Sequence, residues 1–323
     1  MLSEFDIIRD LFNQPGLGAV ANEHVLKGIG DDCALLSIPE GKELAMSMDT
    51  LVEKIHFPEN APADLLGWRA LAVNLSDLAA MGAVPLGFTM SLAMLGADKK
   101  WLETFAAGLK SCAQTYDCPL LGGDTTRGPL AITVQAHGLV ESGKALLRSN
   151  AQVGDRIYVS GSLGNAALAA RHLADRNQWK SGSIFESSFY KPVPRLGLGS
   201  GAIGIANAAI DISDGLLADL GHICRASGTG AEIQLEKIPL GKSLDVGLDR
   251  SEALAIAVTG GDDYELVLTV PEGKAASLES MAKDIKIPLV CIGEITRGKG
   301  VSCYDANGAA LTFQTAGYQH FDA

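Results

Sequence analysis

The chain has 323 residues, of which 47% are hydrophobic and 20% are charged, and its formal net charge at pH 7 is −12. This length is about twice the usual domain size, so two domains are expected. No basic cluster is visible, which argues against a nucleic-acid partner, because such proteins neutralise phosphates with lysine and arginine. An acidic protein can still hold phosphates through divalent cations that carboxylates bind.

Membrane and secretory segments are not indicated. No stretch approaches the roughly 20 uninterrupted apolar residues of a membrane span, and the start MLSEFDIIRDLF is acidic where a secretory signal is basic. The six cysteines form no CxxC pair, so neither a zinc site nor a disulfide framework is indicated. The sequence therefore predicts a cytoplasmic protein without a membrane partner.

Hydrophobic periodicity predicts a mixed α/β N-terminal half. The predicted elements are a helix near 3–13, a strand near 44–52, a helix near 63–81, a strand near 86–94, a helix near 99–116 and a strand near 130–140. Residues 141–155 are predicted to form a hairpin and a crossover.

The C-terminal half begins with DRIYVSGSLGNAALAARHLA, whose strand, glycine turn and helix are typical of an α/β unit. The later predicted elements are helices near 195–207 and 214–227 and strands near 231–235, 264–270 and 289–295. The boundary is predicted near residue 150, which gives domains 1–149 and 150–323.

Asp77 lies inside the predicted helix that contains NLSDLAAMG. Its side of the helix carries Asn74 and otherwise small or apolar residues, so this face is expected to be packed. A desolvated carboxylate is costly unless something pairs with it. Asp77 is therefore either a structural residue that caps a loop or meets Arg69, or a ligand of a cation.

The segment LAMSMDTLV alternates as a strand. Alternation puts Ser47 and Asp49 on one face, and Met46, Met48 and Thr50 on the other. Two oxygen ligands two residues apart form half of a site for a hard cation. The alternative is an edge strand whose polar residues face water.

Aspartates that follow glycines recur in GIGDDCALL, with Asp31 and Asp32, and in LLGGDTTRG, with Asp124. Such Gly-Asp turns are common in loops. The glycines also allow backbone amides to approach a phosphate closely. Either interpretation fits these segments alone.

Asp211 and Asp214 flank a predicted helix start in NAAIDISDGLLADLG. Ser213 or Asp214 is expected to cap this helix, and its free amides could hold a phosphate. SDLAAMG and GGDTT of the first half resemble SDGLLADLG and GGDDYE of the second, through either duplication or chance.

Other nucleotide motifs are absent or misplaced. There is no GxxxxGK[ST] motif and no kinase signature of the HRD or DFG type, and GSGAIG at 199–204 does not follow a predicted strand. The six histidines show no metal-ligand spacing.

Six of these segments occur in order: GIGDDCALL, MDTLVEKIHF, ALAVNLSDLAAMGA, LLGGDTTRGPL, AIDISDGLLADLGHI and GGDDYELVLTV, followed by the terminal GYQHF. With this order and spacing, nearly the whole chain resembles the thiamine-monophosphate kinases. Their superfamily includes aminoimidazole-ribonucleotide synthetase and selenophosphate synthetase.

The resemblance implies a fold, ligands and an assembly. The N-terminal domain would be a mixed sheet with helices that binds ATP and magnesium and forms a homodimer through its sheet. The C-terminal domain would be an α/β sandwich that closes the active-site cleft. The expected reaction is phosphorylation of thiamine monophosphate by ATP, with several Mg²⁺ ions, by direct in-line transfer.

The resemblance also implies site residues. The implied metal ligands are Asp32, Ser47, Met48, Asp49, Asp77, Asp124, Asp211 and Asp214. The implied ATP contacts are Gly123, Asp124, Arg148 and Ser213, with Tyr116 near the nucleotide. The implied thiamine-phosphate contacts are His56, Asp262 and Tyr318, and the implied catalytic set is Asp77, Asp124, Asp214 and Arg148.

Two residues depart from the family pattern. Many relatives have threonine where Met48 stands, so a metal contact there would need the backbone carbonyl. Asp262 replaces a common glutamate and has a shorter reach.

Two other functions compete. One is an ATP-dependent synthetase of the same superfamily, although no cysteine precedes Cys33 to serve as the reactive residue of a selenophosphate synthetase. The other is a catalytically silent nucleotide sensor.

Overall fold

The computed structural model describes residues 4–174, 184–245 and 248–313. They form two compact units, one of residues 4–78 and 83–143, the other of residues 79–82, 144–174, 184–245 and 248–313. Both contain helices and mixed sheets, so the predicted α/β class with two domains is confirmed. None of the helices in the described ranges combines the length and the hydropathy of a transmembrane segment.

The first unit alternates strands with helices. In chain order, its described elements are α1 (Glu4–Ile7, continued by a π-helical segment Ile8–Phe12), β1 (Val25–Lys27), β2 (Leu35–Leu36), β3 (Lys42–Val52), α2 (Ala63–Ala80), β4 (Val84–Met94), α3 (Lys99–Thr115), β5 (Leu120–Arg127) and β6 (Ala131–Glu141). The predicted strands and the two long helices are confirmed to within about two residues at each end.

The main sheet of this unit has the order β3-β6-β4-β5. β6 pairs antiparallel with β3 and β4, whereas β5 pairs parallel with β4. Alternation along β3 is as predicted, because Met46, Met48 and Thr50 are exposed while Ser47 and Asp49 are partly buried. One face of the sheet therefore presents exposed methionines.

Glycines bring α2 and α3 close together. A Cβ atom on Gly67 would lie 2.2 Å from the carbonyl oxygen of Phe105, and one on Gly108 would lie 1.8 Å from that of Asp64. Any larger residue would force the two backbones apart. This close approach fixes α2, the helix that carries Asp77.

The structure corrects the interpretation of LLGGDTTRG as a turn. Gly122, Gly123 and Asp124 lie inside β5, where they pair with Thr89, Met90 and Ser91 of β4. Sequence periodicity missed this edge strand because its pairing with β4 is non-local and its glycines are depleted in strands.

The second unit contains a larger sheet. Its described elements are a 3-10 helix (Arg148–Asn150), β7 (Arg156–Ser160), α4 (Asn165–Ala174), α5 (Ile184–Tyr190), α6 (Leu196–Ala202), β8 (Ala208–Asp211), α7 (Leu216–Ser227), β9 (Gly230–Gln234), 3-10 helices (Leu235–Lys237 and Lys242–Asp245), α8 (Arg250–Thr259), β10 (Leu266–Val270), a 3-10 helix (Glu272–Lys274), α9 (Ala275–Asp284), β11 (Leu289–Thr296), β12 (Gly300–Tyr304) and β13 (Ala310–Leu311).

These strands form one sheet in the order β13-β12-β9-β11-β7-β10-β8. Alternate residues face two separate cores: Ile157 and Val267 belong to one, and Tyr158 and Leu268 to the other. Because both faces are covered, β10 is buried along its whole length and its sequence LVLTV is almost entirely apolar.

Two predictions for this unit are wrong. Residues 141–155, all of which the structure describes, contain turns and a 3-10 helix rather than a hairpin. The helix expected over 195–207 ends at Ala202, because Gly204, with φ +75°, turns the chain toward β8.

Candidate active site

In the first unit, β3 and α2 bring three predicted ligands together. The hydroxyl of Ser47 donates a hydrogen bond to the carboxylate of Asp77. The amide of Asp49 donates to Oδ1 of Asn74 at 3.1 Å, and Nδ2 of Asn74 donates to the carbonyl of Ala70 at 3.0 Å. Asn74 thus satisfies an amide of the edge strand and holds α2 beside Ser47 and Asp49.

The electrostatics of this cluster disfavour two full negative charges. Burial raises the pKa of Asp49 to about 6, and the neighbouring carboxylate of Asp77 acts in the same direction. The positive charge of Arg69 opposes both effects. A carboxylate pair that resists ionisation in this way is stabilised by a bound cation.

The side chains of the other predicted metal ligands of this unit, Asp32, Met48 and Asp124, are exposed. The side chain of Met48 is 62% exposed on the open face of the sheet, as the alternation predicted. Asp32 is exposed between β1 and β2, and its amide donates to the carboxylate of Asp31 at 3.0 Å.

Asp124 does not share a face of the sheet with Asp49. The register aligns Asp124 with Ser91, Thr133 and Thr50 along one row across the four strands. Asp49 belongs to the adjacent row, and successive residues of a strand point to opposite faces. Asp124 is exposed on the side of Thr50, three strands away from β3.

Two ring side chains of the first unit were also predicted to touch ligands. Tyr116, directly after α3, packs edge-on against Trp68 with ring centroids 6.0 Å apart. Nδ1 of His56 accepts a hydrogen bond from the amide of Val52 at 3.0 Å, so the neutral ring carries its proton on Nε2.

In the second unit, the predicted loop between β8 and α7 is shaped by a residue that sequence reasoning missed. Oδ2 of Asp219 accepts hydrogen bonds from the amides of Ser213, Asp214 and Gly215 at 3.1, 3.1 and 3.0 Å. The cap of α7 is Gly215, with φ +122°, rather than Ser213 or Asp214. The amides of Ser213, Asp214 and Gly215 are therefore occupied by Asp219.

A signal for Asp219 does exist in the sequence. It is an aspartate in the first turn of α7, four residues after a glycine that ends a Ser-Asp-Gly turn. Only the three-dimensional path of the loop shows that all three amides converge on one oxygen.

Charged groups surround this loop. Burial and the nearby Asp214 raise the pKa of Asp219 to about 7, against the three amide hydrogen bonds that lower it. Burial lowers the pKa of His222, and the positive charges of Arg225 and Arg148 act in the same direction. One ligand atom from each of Asp214, Asp219 and His222 lies within 4.8 Å of the others.

Arg148 and Asp211 flank the same loop. The 3-10 helix that begins at Arg148 packs against α7, and Ser227 Oγ donates to the carbonyl of Arg148 at 2.8 Å. Asp211 ends β8 and is only 3% exposed. Arg148 is exposed.

Residues 260–265 run beside this loop. The amide of Asp262 donates to the carbonyl of Ser213 at 2.9 Å, and the Tyr264 hydroxyl donates to Oδ1 of Asp262 at 3.2 Å. Asp262 and Tyr264 both have positive φ values, +69° and +50°, which are uncommon for such residues. Tyr318 lies outside the described residues.

Family models match both units. The N-terminal domain of AIR synthase related proteins matches residues 30–140, and their C-terminal domain matches residues 152–306. Thiamine-monophosphate kinase of Escherichia coli (strain K12) is 45% identical over 298 residues, which cover 91% of each chain. The chain belongs to the thiamine-monophosphate kinase family.

Solved structures agree with this family. A crystal structure of thiamine-monophosphate kinase from Stenotrophomonas maltophilia K279a is 41% identical, with a TM-score of 0.83 over 90% of this chain and 93% of that one. A second structure, AaThiL complexed with AMPPCP and TMP, is 29% identical, with a TM-score of 0.76 over 91% of this chain and 92% of that one. The family has thus been seen with an ATP analogue and TMP on the same protein.

Proposed function

We propose that this chain transfers the γ-phosphoryl group of ATP to thiamine monophosphate and so forms thiamine diphosphate. The observation that carries the proposal is the match to thiamine-monophosphate kinases over nearly the whole chain, at up to 45% identity among the relatives described above. The complex of a relative with AMPPCP and TMP supports both substrates.

The donor atoms of the first unit fit magnesium. Ser47, Asp49 and Asp77 offer only oxygen ligands, which Mg²⁺ prefers, and the raised pKa of Asp49 reports two carboxylates that a cation would stabilise. We assign these three residues to magnesium, with the backbone carbonyl of Met48 beside them. The bound ion would neutralise phosphate charge during transfer.

The remaining ligand assignments come from the family resemblance. Asp32, Asp124, Asp211 and Asp214 stay predicted ligands, and each belongs to a segment that the resemblance includes. The exposed position of Asp124 on the other face of the sheet makes it the assignment most open to test.

Substrate binding is assigned to residues of both units. Arg148 and Ser213 are proposed to bind ATP with Gly123 and Asp124, near Tyr116. His56 would donate from Nε2 to the acceptor, and Asp262 would contact it with its carboxylate, with Tyr318 as a further predicted contact. The division of these tasks between domains 1–149 and 150–323 stays a prediction.

The acceptor supplies its own nucleophile. A phosphate monoester has a second pKa near 6, so its oxygen is largely deprotonated at neutral pH. No general base is then required, and we propose in-line attack of this oxygen on the γ-phosphorus with Arg148 offsetting negative charge. The chain's contribution is positioning and charge neutralisation.

A homodimer through the first sheet is part of the proposal. Met46 and Met48 are 60% and 62% exposed on a sheet face, and large exposed apolar side chains grouped on one face are typical of an interface. Light scattering should give twice the chain mass, and Met46→Lys should give a monomer. A monomeric wild-type protein would remove this part of the proposal. The cytoplasmic location also stays a prediction.

Product analysis tests the reaction. The protein is incubated with ATP, Mg²⁺ and thiamine monophosphate, and ADP and thiamine diphosphate are quantified by chromatography. We expect equal amounts of both products over many turnovers. ADP without thiamine diphosphate would favour the synthetase, and no ADP beyond one equivalent per protein would favour the nucleotide sensor.

A further inference from the structure

Asp219 is held in an unusual way for a carboxylate on a helix. It is 3% exposed, and its Oδ2 atom alone accepts hydrogen bonds from three consecutive amides, those of Ser213, Asp214 and Gly215. Its own amide donates to the carbonyl of Gly215 at 3.0 Å. The whole turn between β8 and α7 is thus wrapped around one side chain.

This turn is joined to the segment that carries Asp262. The amide of Asp262 donates to the carbonyl of Ser213 at 2.9 Å, and the amide of Tyr264 donates to that of Ile212 at 2.8 Å. The amide of Ile212 in turn donates to the carbonyl of Glu265 at 2.8 Å. Three backbone hydrogen bonds therefore connect the two segments.

The fit between the two segments leaves little room for independent movement. A Cβ atom on Gly261 would lie 2.2 Å from the carbonyl oxygen of Ser213, and one on Gly215 would lie 2.8 Å from that of Thr259. A shift of the turn would therefore displace residues 260–262 as well.

We propose that Asp219 is a positioning residue that places Ser213 and Asp214 directly and Asp262 through the carbonyl of Ser213. The inference rests on the proposed function, in which Ser213 and Asp214 serve ATP and metal and Asp262 serves thiamine monophosphate. One buried carboxylate then sets the geometry for both substrates. The amides of residues 213–215 bind Asp219 and do not bind phosphate.

Two substitutions separate the hydrogen-bond acceptor from the charge. Asp219→Ala removes the acceptor, whereas Asp219→Asn keeps an oxygen that can accept the same amides. Asp219→Ala should lower kcat about tenfold or more and raise KM for both substrates, and Asp219→Asn should stay within about threefold of wild type, since neutral acceptors retain part of such bonds.

Amide hydrogen exchange gives a readout that does not depend on activity. In Asp219→Ala, exchange at Ser213, Asp214 and Gly215 should accelerate about tenfold or more, while Leu266–Val270 of β10 keeps its protection. In Asp219→Asn the three amides should stay protected. Loss of protection across β10 as well would mean that Asp219→Ala unfolds. The kinetics and amide exchange of Asp219→Asn would then test the proposal.

Asp155 provides the matched control. It is also 3% exposed, and it accepts from the amide of Gln152 and from Asn207, which precedes β8, at the opposite end of that strand from the turn. Asp155→Ala should lower the free energy of unfolding without changing kcat or KM of the folded fraction. Equal kinetic effects of Asp155→Ala and Asp219→Ala would overturn the proposal.

Two further results would also overturn it. One is an Asp219→Ala protein with unprotected amides and wild-type kinetics. The other is a folded Asp219→Asn protein with protected amides and no activity, which would make the charge the important feature. If the wild-type protein makes no thiamine diphosphate, the proposed function fails, while exchange and the affinity for a non-hydrolysable ATP analogue still test Asp219.

Discussion

Asp77 of the first unit and Asp219 of the second are both aspartates on helices, yet their surroundings differ. Asp77 accepts from the hydroxyl of Ser47 and lies near the carboxylate of Asp49, whereas Asp219 accepts from three backbone amides. Backbone amides carry partial positive charge and stabilise a carboxylate directly. At Asp49, the nearby charge of Asp77 acts against ionisation and the positive charge of Arg69 acts in its favour.

The difference separates two uses of the same residue type. Proximity alone groups Asp219 with Asp214 and His222 as possible metal ligands. Burial and a neighbouring carboxylate raise the pKa of both residues, to about 6 for Asp49 and to about 7 for Asp219, so the pKa does not separate them. The difference is that Oδ2 of Asp219 already accepts three backbone amides. The backbone amides that donate to a carboxylate are therefore a better guide to its role than its distance from other carboxylates.

The largest expected effect follows from Asp77→Asn. The amide keeps the shape and an oxygen that can accept from Ser47, but it removes the charge that would bind Mg²⁺. We expect kcat to fall on the order of 100-fold or more with cooperative unfolding retained. Steady-state kinetics and thermal unfolding check both parts.

Asp64→Asn is the control for this change, because Asp64 is exposed in the first turn of the same helix. It should leave kcat unchanged. Turnover of Asp77→Asn within about twofold of wild type would contradict the metal assignment, since loss of a ligand charge costs far more. Loss of folding would favour a structural role instead.

Glu265 provides a third environment, in which the guanidinium of Arg195 pairs with a buried carboxylate. Its carboxylate accepts from Ser160 Oγ at 2.5 Å and from Nε of Arg195 at 2.6 Å, and the side chains of Arg195 and Glu265 are 18% and 9% exposed. Arg195→Met leaves a buried charge without its guanidinium, so the free energy of unfolding should fall by about 3 kcal/mol. Urea denaturation measures this change.

The exposed pair Arg156–Glu272 tests whether burial causes that loss. Its side chains are 44% and 75% exposed, so water replaces the lost partner and Arg156→Met should have a much smaller effect. Equal losses of unfolding free energy in the two variants would mean that the burial of Glu265 does not cause the loss in Arg195→Met.

The stabilisation by Mg²⁺ should depend on pH. The pKa of Asp49 is raised to about 6, above its unfolded value, so the folded metal-free protein binds more protons and loses stability as pH rises from about 4 to 6. Above this window the ionised pair binds Mg²⁺ without competition from protons. Saturating Mg²⁺ should therefore raise Tm by a few degrees more at about pH 7.5 than at about pH 5.

Asp49→Asn supplies the comparison for this experiment. It removes the titrating group, so the Mg²⁺-induced Tm shifts at the two pH values should become more similar. The same Mg²⁺-induced Tm shift at both pH values in the wild-type protein would contradict a site at Asp49.

Local patterns predicted the first cluster well. Alternation placed Ser47 and Asp49 on one face of a strand, and helical periodicity placed Asp77 on a packed face, because both periods are properties of consecutive residues. Partners in space were not predictable this way. The contact of Ser47 with Asp77 joins residues 30 positions apart.

The arrangement of Ser213, Asp214 and Gly215 around Asp219 was only partly predictable from the sequence. The sequence shows the motif around Asp214, but it predicts Ser213 or Asp214 as the cap because propensity favours polar caps. The actual arrangement depends on Gly215 with φ +122°, which lets three amides turn toward Asp219. β5 was missed for a similar reason, since the edge strand depends on its pairing with β4 rather than on its own composition.

The smallest expected effect concerns a hydroxyl that orients a carboxylate in the second unit, as Ser47 does in the first. Tyr264 donates to Oδ1 of Asp262 at 3.2 Å, and both residues have strained positive φ values. Tyr264→Phe removes this bond, worth about 1 kcal/mol, so KM for thiamine monophosphate should rise about fivefold while KM for ATP stays constant. Tyr304→Phe, which removes a hydroxyl from β12, a strand that does not pair with β10, should change neither constant. A parallel rise of both KM values in Tyr264→Phe would mean that the hydroxyl supports the whole turn, as Asp219 does, and that Asp262 is not oriented separately.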